Sequence, residues 1–366
     1  MGLEKKIAIL TGGGDCPGIN AVIRAVTKKA IIELGMEVIG FEDGYHGLVN
    51  NKYRKLTYDD VSGILTLGGT ILGTSKIANP YRYAVKQGEK GKFRDMSKNA
   101  IDNIRTTDID CLVIIGGDGT LGIASRLFQD SIPVIGIPKT IDNDIKETEI
   151  TFGFDTAVQI ATDGIDRIHT TAQSHHRIMI VEVMGHNAGW IALHSGVASG
   201  GDIILIPEIP YDIDIVANVV TKRNKKGKRS SIIVVAEGAK LKGGETIIRR
   251  LVKESLDPVR LGGVGFVLGD QIEKLTGLET RTVVMGHLLR GGTPTAYDRV
   301  LATQLGTEAI SMIQQNTFGY MVGIKNGALI HVPLEKVAKG PRTIPHNHSL
   351  LTTARSVGTC FGDKKH

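Results

Sequence analysis

The feature that most constrains this chain is a series of short, unbroken apolar runs, each emptying into a turn rich in glycine and charge. KIAIL (Lys6–Leu10) leads into TGGGDCPG, CLVIIGG (Cys111–Gly117) into DGT, and PVIGIP (Pro133–Pro138) into KTIDND. Strands with one wet face would alternate apolar and polar residues; these do not, so both faces must be covered. A parallel sheet with helices on either side meets that need. The helix-like stretch Ala21–Leu34, before the strand candidate MEVIGF (Met36–Phe41), supplies one such cover. The pattern returns in RIMIVEVMG (Arg177–Gly185), DIILIP (Asp202–Pro207), SIIVVAEGA (Ser231–Ala239) and TVVMGH (Thr282–His287). At 366 residues the chain has room for two such α/β lobes, with a boundary expected near Gly153.

Composition narrows the function classes. Apolar residues make up 41% and charged residues 22%, the balance of an ordinary soluble enzyme. No run of eighteen apolar residues exists, so no membrane association is expected. The first apolar run passes straight into glycines and reads as a buried strand, not a cleaved leader. Cys16, Cys111 and Cys360 fit neither a zinc pattern nor a disulfide framework, which suits a reducing, cytoplasmic setting. Much of the net charge of +6 sits in TKRNKKGKR (Thr221–Arg229), which has no interleaved aromatics. That segment reads as a solvated helix end or loop, so nucleic acid is not expected as a partner. The polar, basic stretch Tyr81–Lys98 reads as a surface excursion.

In open parallel sheets, ligands bind beyond the carboxyl ends of the strands, which puts the chemistry in the turns. Glycines in TGGGDCPG let backbone N–H groups approach anionic oxygens at a helix N-terminus, although a tight strand-to-helix turn would use them as well. In GGDGT (Gly116–Thr120), Asp118 suits a Mg²⁺ carried on nucleotide phosphates; the alternative is a helix N-cap. In PKTIDND (Pro138–Asp144), Asp142 is placed to take the proton of an attacking hydroxyl while Asp144 stays ionised and orients its neighbours. An Asx-rich turn would explain the carboxylates, but not Lys139 and Thr140 beside them.

At these turns the sequence resembles the phosphofructokinase family, over about residues 6–325. SHHR (Ser174–Arg177), EVMGHNAGW (Glu182–Trp190), VAEGA (Val235–Ala239) and ETRTVVMGHLLRGGTPTAYDR (Glu279–Arg299) follow in the family's order. The resemblance implies an α/β fold of two interleaved lobes, each a mainly parallel sheet flanked by helices. Residues 1–153 plus about 290–335 would form the nucleotide-binding lobe, and 154–289 plus about 336–366 the sugar-phosphate lobe. It implies transfer of a phosphoryl group from ATP, with Mg²⁺, to fructose 6-phosphate. Gly14, Tyr45, Lys76, Gly117, Asp118, Gly119 and Thr120 would line the nucleotide and metal site. Asp142 would be the general base, flanked by Thr140 and Asp144. Met184, Gly185, His186, Glu237, His287 and Arg290 would shape the sugar pocket. Arg177 and Arg281 would grip the 6-phosphate of a neighbouring subunit, as guanidinium forks do well, which makes the protein a homodimer or homotetramer with shared sites.

Two positions depart from the family's ATP-using pattern: Lys76 and His186 stand where arginines reach the transferring group. Pyrophosphate-using relatives carry an aspartate after the metal aspartate and a lysine in PKTIDND. This chain has Gly119 at the first position and Lys139 at the second. The missing carboxylate leaves room for a nucleotide and an extra lysine does not evict one, so ATP is the expected donor and pyrophosphate the alternative. Arg24 and Lys28, one helical turn apart, fit either part of an effector site or a solvated helix face.

Overall fold

In the computed structural model, which describes residues 5–84, 93–251, 259–337 and 339–364, β1 (Lys6–Thr11) is an inner strand of a seven-stranded sheet. On one side it pairs in parallel with β2 (Glu37–Phe41), which is edged by antiparallel β3 (Tyr53–Lys55). The short strands β4 (Tyr83–Ala84) and β5 (Phe93–Arg94) form a separate hairpin within the expected excursion, of which residues 85–92 lie outside the described residues. On the other side of β1 come β6 (Cys111–Gly116) and β7 (Val134–Pro138), both parallel to it. The chain therefore leaves β1 in one direction and returns on the other, which makes the β1–β6 gap a topological switch point.

The second sheet is wholly parallel. It consists of β8 (Ile178–Val183), β9 (Ile203–Leu205), β10 (Ser231–Ala236) and, after an isolated antiparallel pair β11 (Ile248–Leu251) and β12 (Val259–Leu261), β13 (Thr280–Val284). The order across it is β13-β8-β10-β9. Near its C-terminus the chain comes back to this sheet, where Cys360 bridges Ile203, accepting from Ile204 N–H at 2.9 Å and donating to the Asp202 carbonyl at 3.0 Å. The first sheet is completed by β14 (Tyr320–Lys325), parallel to β7, and antiparallel β15 (Ala328–Pro333). The continuously apolar runs are thus the buried parallel strands, and the edges of the first sheet are antiparallel.

Two details differ from the sequence expectation. The last strand of the second sheet is Thr280–Val284, not Thr282–His287, because Gly286 takes φ 48° and turns the chain into the 3₁₀ helix Gly286–Arg290. The β14–β15 hairpin was not among the expected elements. Its two-residue loop, Asn326 (φ 51°) and Gly327 (φ 73°), has both residues left-handed, the geometry that Asn-Gly favours between twisted strands.

One apolar core passes through both sheets, joining Ile7, Val113 and Ile137 of the first to Val181 and Val234 of the second and to Trp190 of the helix Trp190–Ala198. Among the described residues no helix is long and apolar enough to cross a membrane. Helix Ile19–Leu34 packs against helix Ala296–Gln314 at Gly306, where an added Cβ would lie 2.9 Å from Ala25 Cβ and 3.0 Å from the Val22 carbonyl oxygen. A larger residue gains about 0.5 kcal/mol in helix propensity, but overpacking here costs roughly 1–3 kcal/mol. Gly306→Val should therefore lower unfolding free energy by ~2 kcal/mol in a urea titration, and an unchanged midpoint would contradict this packing.

Candidate active site

Neighbouring β1, β6 and β7 end at the same edge, so their turns meet. Gly12 N–H donates to the Ile115 carbonyl at 2.9 Å and Lys139 N–H to the Gly116 carbonyl at 3.0 Å, which stitches the three strand ends together. Three cations then converge on the first turn. The Lys139 ammonium donates to the Gly14 carbonyl, and Arg290 Nη1 to the Asp15 carbonyl at 3.1 Å. A Cβ on Gly14 would stand 2.5 Å from Arg290 Nη1 and 3.2 Å from Lys76 Cε, so both cationic side chains close over this glycine. Lys139 is buried, and burial, with smaller contributions from Arg290 and Lys76, pulls its pKa below the usual lysine range. Clustered positive charge beside glycine backbone is a site for phosphate-like anions.

The acidic groups stand opposite. Asp118 opens helix Asp118–Gln129 and is exposed, with Oδ1 accepting from Gly119 N–H at 2.7 Å. Gly117 precedes it as the extended N-cap residue. Thr120 is buried, and its side chain packs where Cβ atoms on Gly12 or Gly116 would fall. Thr140 Oγ1 accepts from Asp142 N–H at 3.0 Å, while its carbonyl accepts from Thr151 Oγ1 at 2.8 Å. Asp142 Oδ1 is buried without a hydrogen-bond partner. Burial, then the charges of Asp142 and Asp118, push Asp144 up to about 8. All three carboxylates therefore lie close enough to act on one another in one cleft.

The second sheet supplies the facing wall. Met184, Gly185 and His186 follow β8; Gly185 takes φ 145° and His186 φ 49°. A Cβ on Gly185 would run into the Ala188 carbonyl oxygen. This sharp bend aims His186 N–H at Glu237, which follows β10 and accepts it at 3.1 Å. Glu237 is pushed up to about 7, first by burial and next by the Asp142 charge from the other sheet. Arg290 lowers it. The cleft thus lies between the two sheets, and Arg290 touches both its cationic and its acidic side. His287, on the same 3₁₀ turn as Arg290, is exposed.

Three of the expected site residues lie away from this cleft, and two of them, Arg177 and Arg281, are those expected to serve a neighbouring subunit. Tyr45 is fully buried, with its hydroxyl donating to the Thr120 carbonyl at 2.9 Å, so it braces the Asp118–Thr120 turn from behind. Arg177 and Arg281 share Glu279, Arg177 Nε at 2.9 Å and Arg281 through Nη2, on the outer edge of the second sheet. Lys28 stacks over the Tyr58 ring at 3.7 Å. The sequence reading missed Arg342, whose N–H donates to the Asp144 carbonyl at 2.6 Å. No period or motif marks it within the irregular segment GPRTIP.

Comparisons with known proteins place the chain among its relatives. The family model described as phosphofructokinase matches residues 6–313. A Clostridium perfringens protein named ATP-dependent 6-phosphofructokinase 2 is 51% identical over 362 residues, covering 98% of this chain and 99% of that protein. An Amycolatopsis methanolica protein named pyrophosphate–fructose 6-phosphate 1-phosphotransferase is 48% identical over 340 residues, covering 93% of this chain and 96% of that protein. The solved phosphofructokinase of Saccharomyces cerevisiae superposes with a TM-score of 0.76 at 32% identity over 97% of this chain, which spans 46% of that longer one. With a family match over most of its length and relatives near half identical throughout, the chain belongs to the phosphofructokinase family.

Proposed function

We propose that this protein is an ATP-dependent 6-phosphofructokinase, converting fructose 6-phosphate and ATP to fructose 1,6-bisphosphate and ADP in glycolysis. The observation that carries this reading is Asp142, whose Oδ1 is buried without a hydrogen-bond partner and whose charge is felt by Glu237 of the other sheet, while Lys76, Lys139 and Arg290 cluster on the Gly14 turn. Asp142 takes the proton from the sugar's 1-hydroxyl, that oxygen attacks the γ-phosphorus, and the bond to the bridging oxygen of ADP breaks. The cations hold the phosphates in line, and positioning supplies most of the acceleration. Glu237 and the Met184–His186 bend orient the sugar.

The acidic wall fits a divalent cation, since Asp118 and Asp142 both raise Asp144 and a positive charge would relieve all three. Among the described residues no three His, Cys, Asp or Glu side chains group as a protein-made metal site, so Mg²⁺ would draw most of its ligands from phosphate and water, with Asp118 as the protein contact. When bound, Mg²⁺ neutralises charge on the phosphates. The two sheets act as the nucleotide and sugar-phosphate lobes, with residues 1–153 plus about 290–335 and 154–289 plus about 336–366 as their extents.

Self-association as a homodimer or homotetramer completes the site. Beside Arg177 and Arg281 on the outer strand β13, the side chains of Phe266, Val267, Val283, Val284 and Leu288 are exposed and apolar, a face suited to a second copy. The arginines, facing away from their own cleft, would then reach the partner's 6-phosphate. Three buried, free cysteines suit a reducing cytoplasm. Lys139 also favours a second reading, pyrophosphate as donor, because its ammonium reaches the Gly14 carbonyl in the phosphate turn. Gly119 decides for ATP by leaving the helix start without another carboxylate.

Asp142→Asn should cut turnover by ~10²–10⁴ in a coupled assay while fructose 6-phosphate still binds; near-normal turnover would remove Asp142 as the base. Gly119→Asp should weaken ATP use relative to pyrophosphate, and unchanged ATP kinetics with Mg²⁺ would overturn the choice of donor. A pH dependence tests the cleft itself. Glu237 binds its proton more tightly folded (about 7) than in its ordinary state (4.5), so its contribution to stability falls as pH rises through that window. The melting temperature of ligand-free wild type should drop relative to Glu237→Gln between pH 5 and pH 8, two values on the order of that window's edges. A constant difference would mean the carboxyl is not buried against Asp142.

A further inference from the structure

After β15 the chain runs as an irregular arm, and Arg342 in it makes contacts that no part of the mechanism yet uses. Its N–H donates to the Asp144 carbonyl at 2.6 Å, Nε to the Asn143 carbonyl at 3.2 Å and Nη2 to the Glu149 carbonyl at 2.7 Å. Its own carbonyl accepts from Trp190 Nε1 at 3.1 Å, and its guanidinium lies 4.4 Å from the Trp190 ring centroid. Two residues on, Ile344 N–H donates at 2.9 Å to Glu208, whose carboxylate also accepts from Gly189 N–H at 3.1 Å. The arm is therefore tied at one point to the Asp142–Asp144 turn of the first sheet and at the next to the loop after β8 in the second.

The turn has reason to need this support. Asn143, between the two aspartates, is buried in the left-handed region at φ 51°, a conformation that the surroundings must hold for a residue with a Cβ. Its side-chain Oδ1 accepts from Thr151 N–H at 3.0 Å, which fixes the side chain but leaves the Asn143 carbonyl to Arg342. A buried carbonyl without a donor would favour rotation of the peptide, and that peptide leads directly into Asp144. Burial works against the guanidinium's charge, and the Asp144 and Glu149 charges favour it. Stacking on Trp190 then fixes the fork in one plane.

We propose that Arg342 is a positioning residue for phosphoryl transfer, holding the Asp142–Asp144 turn against Trp190 so that the base keeps its direction toward the facing lobe. This rests on the reading of Asp142 as the base. The test compares kcat and KM of purified Arg342→Ala, Arg342→Lys and Arg342→Gln with wild type, using fructose 6-phosphate and Mg²⁺-ATP, with Asp142→Asn measured alongside. Arg342→Ala should lose about 10- to 100-fold in kcat, with either KM changed by no more than about threefold. Arg342→Lys, which keeps a cation over the indole but not the fork, should recover part of kcat, and Arg342→Gln less. Should the alanine variant fail to fold, the lysine and glutamine variants must still show lowered kcat at steady KM. A purely structural role would lower the melting temperature and leave kcat per folded molecule unchanged, which overturns the proposal, as does a rise in KM alone. Inactive Asp142→Asn beside wild-type kinetics in Arg342→Ala overturns this proposal only. Full turnover in Asp142→Asn overturns the base assignment and this proposal with it.

Discussion

The cleft depends on segregated charge, part of it drawn out of water. Lys76, Lys139 and Arg290 crowd the Gly14 backbone, while Asp144 feels the charges of Asp142 and Asp118, and Glu237 of the other sheet feels Asp142. Burial alone makes each side unfavourable: the buried lysine is drawn toward its neutral form and two of the acids toward theirs. The arrangement is sustained because each group is fixed to backbone that the parallel strands already hold. A ligand carrying phosphates at one end and a cation and hydroxyl at the other relieves both imbalances together. Stabilising charge that develops during reaction then requires little rearrangement.

Much of this was legible in the sequence because parallel strands and their turns leave local marks. The unbroken runs became β1, β6, β7, β8, β9 and β10, and the charged turns following them form the walls of the cleft. Glycine at position 14 reads equally well as a turn former, and only the structure shows the guanidinium and lysine stem that lie over it. Residue type alone does not show that the Tyr45 ring packs into the core beneath the turn. The strand assigned to Thr282–His287 slid by two residues because an apolar run does not announce that Gly286 will take a positive φ.

What the sequence could not reveal are contacts made through backbone atoms by residues far apart along the chain. Arg342 and Asn143 are 199 positions apart, and the bond ends on a carbonyl oxygen, which every residue has. Glu208 is equally anonymous, being one carboxylate among 38 acidic residues until Gly189 and Ile344 both donate to it. The two sheets also share one apolar core, so the cleft between them is bounded by elements packed into a common interior.

The bridge from Cys360 to β9 has a consequence for how the protein is made. Ile203 and Ile204 emerge from the ribosome long before their neighbour at Cys360. Until then β9 has β10 on one side and an uncovered margin on the other, an invitation to pairing with other nascent chains. Closing that margin waits for residues that lie far downstream along the chain.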